Sequence, residues 1–153
     1  MQTSLVNTLT WEDIKEIAEI LDTIDIYDKE LKSEEGYYTE AIIKLGMKYK
    51  TLAGCKARYN EILPIAEKII GQKNGKGRTP LLVMLRSMVA YRLWEEEYSI
   101  SDIGRVMGYN HATIFHYLKK KDDFFSIPSM YEKEIKWFKQ FDEELENGID
   151  GDN

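Results

Sequence analysis

The chain has 153 residues, 43% of them hydrophobic, and a formal net charge of −6. That suffices for one domain with a real core, while no apolar run is long enough for a membrane span. The single cysteine, Cys55, excludes an internal disulfide, and the opening residues lack the basic-then-apolar order of a signal peptide, so the expected location is cytoplasmic.

The net charge conceals a pattern. Residues 1–43 carry 3 basic and 11 acidic side chains, residues 44–121 carry 15 and 6, and residues 122–153 carry 3 and 10. A basic middle between acidic ends is the footprint expected of a polyanion-binding site.

Thr10 is placed to cap a helix from Trp11, with Asp13 completing a capping box. Trp11, Ile14, Ile17, Ala18, Leu21 and Ile24 fall on one stripe at helical spacing, opposite an acidic face. After a break around Lys32 to Gly36, a second helix is predicted from Tyr37 to Lys50, with Ala41, Ile42, Leu45 and Tyr49 inward. A third covers Leu52 to Ile70, burying Ile62, Ile65, Ala66 and Ile69. Pro64 lies inside it and predicts a kink or two shorter helices.

Gly71 to Arg78 is a basic, glycine-rich loop and the main boundary. It lacks the glycine spacing and the preceding strand of a nucleotide phosphate loop, so no nucleotide is expected there. Thr79-Pro80 opens the next helix, because proline suits the first helical position. Leu82, Leu85, Met88, Val89, Arg92 and Leu93 form its stripe, Tyr91 and Trp94 read as core, and Glu95 to Glu97 as a solvated end.

Ser99 and Asp102 form a capping box for a short helix with Ile100, Ile103, Val106 and Met107 on its apolar side. Gly108 ends it in a left-handed turn, and Asn110 caps a helix reaching about Asp123. Ile127-Pro128 separates a final helix, Ser129 to about Glu146. Its stripe of Tyr131, Ile135, Phe138, Phe141 and Leu145 reads as internal packing, with a homodimer interface as the alternative. The expected organisation is an all-α helical bundle: an N-terminal helical region (1–71), a helix-turn-helix domain (72–125), a C-terminal amphipathic helix (126–147) and a disordered acidic tail (148–153).

The segment Ile100 to His116 is the part that carries function. It reads as helix, tight turn, helix, the pattern that delivers side chains to a DNA groove. Ile114, Tyr117, Leu118 and Lys121 share one face of the second helix, and Ala112, His116, Lys119 and Lys120 the other. His111 and Thr113 stand at the front, where a recognition helix meets base edges. The imidazole and hydroxyl offer hydrogen bonds to bases, and the Thr or Ala methyl offers contact with a thymine methyl. Lys119 to Lys121 read as phosphate contacts or long-range attraction, and Lys73, Lys76 and Arg78 as an arm for the minor groove or backbone.

Thr79 to Lys121 resembles the C-terminal DNA-binding domain of the bacterial replication initiator DnaA. The resemblance is carried by Ser99-Ile-Ser-Asp-Ile-Gly-Arg-Val-Met-Gly and Asn110-His-Ala-Thr-Ile-Phe-His. It implies a Trp-repressor-like fold, duplex DNA as partner, and a role in replication or transcription control. By the same resemblance Arg78 is the minor-groove arginine, Arg86 an arginine on the long first helix, and His111 and Thr113 the base readers. The chain departs from the pattern in having Tyr109 where the family has Arg, Asn110 for Asp, and Ala112 for a Thr. Its lone Gly108 is like shorter phage and mobile-element relatives, and the ATPase module is absent. The expected DNA-contacting set is Lys73, Lys76, Arg78, Arg86, Tyr109, Asn110, His111, Ala112, Thr113, His116, Lys119 and Lys120.

The two histidines, five apart, fall on different faces, and no catalytic motif is present, so neither metal, cofactor nor enzyme activity is expected. The competing reading is a protein-binding module that keeps the fold, favoured by the overall acidity and by Tyr109.

Overall fold

The computed structural model describes residues 43–151 and Glu12. Glu12 is helical. The rest of the helix expected from Trp11, the break after Lys32 and the start of the second helix lie outside the described residues. All regular structure among the described residues is helical. A helical segment, 43–49, precedes α1 (Leu52–Ile70), α2 (Pro80–Glu95), α3 (Ile100–Met107), α4 (His111–Ser126) and α5 (Glu132–Gly151).

Four helix starts are written in the local sequence. The side chains of Thr51, Thr79, Ser99 and Asn110 accept the backbone N–H groups of Gly54, Leu82, Asp102 and Thr113 at 3.2, 3.3, 3.0 and 2.9 Å. Each satisfies one N–H that the first helical turn leaves without a partner. Gly71 and Gly108 close α1 and α3 at φ 77° and 81°, a region where a side chain is disfavoured.

Of the kink or two shorter helices expected at Pro64, the division does not occur: α1 is one helix through the proline. Pro64 and Asn60 are both exposed, so water can take the carbonyl that the missing N–H leaves free. Gly46 of segment 43–49 and Gly54 of α1 allow their backbones to touch: a Cβ on Gly54 would lie 2.1 Å from the Gly46 carbonyl. Leu45 is buried as expected, but Tyr49 is 45% exposed and does not enter the core.

α2 is the hub. It packs against α1, α3, α4 and α5, and these four touch in a ring around it: α1 with α3, α3 with α4, α4 with α5, α5 with α1. Its burial is therefore almost continuous, with Leu82 and every residue from Met84 to Ala90 inside, rather than a single stripe. Cys55, Ile62 and Ala66 from α1 join Ile103, Ile114, Tyr117, Phe138, Phe141 and Leu145 in one core cluster with α2. The described parts of the expected N-terminal, middle and C-terminal regions thus share one interior.

Three details differ from expectation towards the C-terminus. α4 continues to Ser126, and α5 starts at Glu132 and runs to Gly151. The helix therefore takes in the first part of the segment expected as a disordered tail; residues 152–153 lie outside the described residues. Phe138, Phe141 and Leu145 are 2%, 1% and 4% exposed within this one chain, which fits the internal-packing reading of their stripe.

The triplet Glu95 to Glu97 is not uniformly solvated. Glu96 accepts a two-pronged contact from Arg58 of α1 at 2.7 and 2.9 Å and a third from Arg92 at 2.6 Å. Arg92 also reaches Asp142 of α5 at 3.3 Å. This chain of charges ties α1, α2 and α5 together. Trp94 is likewise not core, being 46% exposed at the end of α2.

Candidate nucleic-acid interface

The turn between α3 and α4 is built from close contact. Tyr109 donates its backbone N–H to the Gly104 carbonyl at 2.9 Å, and a Cβ on Gly104 would lie 2.6 Å from the Tyr109 carbonyl. Asn110 then starts α4, and its side-chain oxygen is committed to the Thr113 N–H. Ile114 and Tyr117 are buried and Leu118 half-buried against the preceding helices, as their spacing predicts.

The opposite face is open. His111, Ala112, His116 and Lys119 are exposed, and Thr113 and Lys120 are half-exposed. Arg78, at the end of the basic loop, shares a concavity of about 350 Å³ with Val83, Asn110, Ala112, Thr113, His116 and Tyr117. Loop and helix, far apart in sequence, thus line one recess. No acidic residue occupies the first turn of α4, so the positive end of its dipole is not offset by a local carboxylate. Lys73 and Lys76 are exposed on the same loop.

Three of the basic or aromatic expectations take a different course. Arg86 is only 3% exposed and is no surface contact. Its guanidinium donates to Asn74 Oδ1 at 3.1 Å, the Gly77 carbonyl at 2.8 Å and the Gly75 carbonyl at 2.6 Å. A buried guanidinium needs such acceptors, and the loop supplies them. Tyr109 turns inward: its ring meets Tyr117 edge-on at 5.5 Å, the Arg86 guanidinium lies 5.6 Å from it, and burial pushes its phenol pKa up. Lys121 packs rather than reaching for phosphate, with Nζ 4.3 Å from the Tyr91 ring centre and 4.0 Å from Glu95.

Several contributors escaped the sequence reading. Asn74 is held from three sides: its N–H donates to Glu67 at 2.7 Å, its amide donates to Tyr59 at 3.5 Å, and its oxygen accepts from Arg86. Asn-Gly signals a turn, but nothing local says which helix fastens it. A second recess of about 270 Å³ is lined by Tyr91, Trp94, Ile100, Phe115, Leu118, Lys119 and Asp122. Phe115 is 57% exposed there.

Among the described residues, no group of three His, Cys, Asp or Glu side chains comes together to hold a metal. Among them, too, no helix is long and apolar enough to cross a membrane. No family model, curated protein or solved structure matches the chain.

Proposed function

We propose that this protein binds double-stranded DNA through a helix-turn-helix, with α4 in the major groove and the 73–78 loop on the adjacent backbone or minor groove. The observation that carries the reading is the shared recess of Arg78 and the first two turns of α4. Arg78, His111, Thr113 and His116 are the residues assigned to contact, with Lys119 and Lys120 further along the same helix. Asn110 contributes as the cap that aims the helix, and Ala112 as the small residue that lets it approach a base edge. By its resemblance to the DnaA DNA-binding domain, the role is control of replication or transcription, of the kind found in phages and mobile elements.

The test is fluorescence anisotropy with duplex DNA at several salt concentrations, using an initiator-box duplex, a scrambled duplex and a random pool for selection. Binding should weaken steeply with salt, because phosphate contacts release counterions. His111→Ala with Thr113→Ala should lose roughly tenfold or more on the selected sequence and little on the scrambled one. Arg78→Ala should weaken both. Absence of duplex binding at low salt would overturn the reading. It would favour the alternative of a protein-binding module, for which the exposed Trp94 and Phe115 are the specific observation.

A further inference from the structure

Arg86 was expected at the DNA and lies instead behind the basic loop, and this changes what the loop offers. Two of its bonds take the carbonyls of Gly75 and Gly77. A trans peptide is planar, with its N–H directed opposite its carbonyl, and the described chain holds no cis bond. The bonds that turn these two carbonyls inward therefore turn the N–H groups of Lys76 and Arg78 outward. Both residues are exposed, and neither N–H has a hydrogen-bond partner among the described residues.

We propose that residues 75–78 form a phosphate-binding site, in which the Lys76 and Arg78 N–H groups and their own side chains hold one phosphodiester, and that Arg86 is the positioning residue that shapes it. Backbone N–H groups that face one way from a turn can hold an anion, and adjacent cationic side chains add charge-assisted bonds. Gly77, at φ 101°, supplies the backbone geometry that a side chain would resist. Asn74, fastened to Glu67 and Tyr59 as well as to Arg86, fixes the start of the loop. The inference rests on the DNA reading for the source of the phosphate, but the site itself requires only the anion.

The full chain, labelled with ¹⁵N, is titrated with inorganic phosphate and with a mixed-sequence duplex while the amide signals are followed. Lys76 and Arg78 should shift in both titrations, ahead of Gly71 and Gln72. Anisotropy and thermal melts of Arg86→Met, Arg86→Lys and Asn74→Ala run alongside. Arg86→Met should bind the duplex roughly tenfold more weakly, with the slope of log K against log salt reduced by about 1. Arg86→Lys should lie between it and the wild type.

If Arg86→Met unfolds, Asn74→Ala carries the same comparison, because it keeps the guanidinium and its two carbonyl acceptors and removes only one of its three bonds. Amides that stay still while the duplex binds, or folded variants with unchanged affinity and salt slope, overturn the site and leave the DNA reading intact. Amides that shift with phosphate in a protein that binds no duplex uphold the site and overturn the DNA reading.

Discussion

At the scale of single residues, the same formal charge has opposite fates. Arg78 and Lys119 are exposed, whereas Arg86 is buried behind a loop and Lys121 lies over aromatic rings. Sequence assigns the charge but not the partner, because the carbonyls that satisfy Arg86 come from a loop whose path is set by packing. Cys55 is simpler. It is fully buried, and burial first, with the negative charge of Asp102 second, pushes its thiol up to about 12. A thiolate is the reactive form, so Cys55 should resist alkylation in the native protein at mildly alkaline pH. It should react at the rate of a free thiol in denaturant. Rapid labelling of the folded chain, followed by mass spectrometry, would contradict this environment.

At the scale of elements, the close approach at Gly104 makes a sharp prediction. Gly104→Ala sets a Cβ against the Tyr109 carbonyl, which as backbone cannot rotate away. The expected cost is about 1–3 kcal/mol, read from thermal or urea melts. Gly75→Ala, which meets open space at a loop position, should cost far less. Equal melts for the two variants would refute the tight turn. The turn was legible in the sequence because its determinants are local: Ser99 and Asn110 cap the N–H groups three residues ahead, and Gly108 closes on the Gly104 carbonyl four residues back. The length of α4 was not. Asp122-Asp123 resembles an end, but Phe124 packs 4.9 Å from Tyr131, and Phe125 lies 6.1 Å from Phe138. Tertiary burial therefore carries the helix another turn.

At the scale of the whole molecule, the Arg58–Glu96–Arg92–Asp142 chain decides the response to acid. Burial alone would raise the Glu96 pKa, but hydrogen bonds from Arg58 and Arg92 outweigh it and hold the carboxyl below its ordinary value. A carboxyl depressed in the folded state binds protons more readily when unfolded. Its stabilisation is complete above the unfolded value of about 4.3 and is lost as pH falls through the lower folded value. Denaturant melts across that acid window should show falling stability, and Glu96→Gln should flatten the fall. The same acid limb in both proteins would assign it to other groups. The all-helical class and the helix-turn-helix pattern could be read from periodicity, whereas the ring of helices around α2 joins residues that only the folded chain brings together. α4 also separates two kinds of inheritance. Ile114 and Tyr117 hold the scaffold, while the side chains of His111, Thr113, His116 and Lys119 make no hydrogen bond or ion pair among the described residues. Drift at those four positions leaves the scaffold's bonds untouched, so under the proposed DNA-binding role a lineage could exchange its target one substitution at a time without passing through an unfolded ancestor.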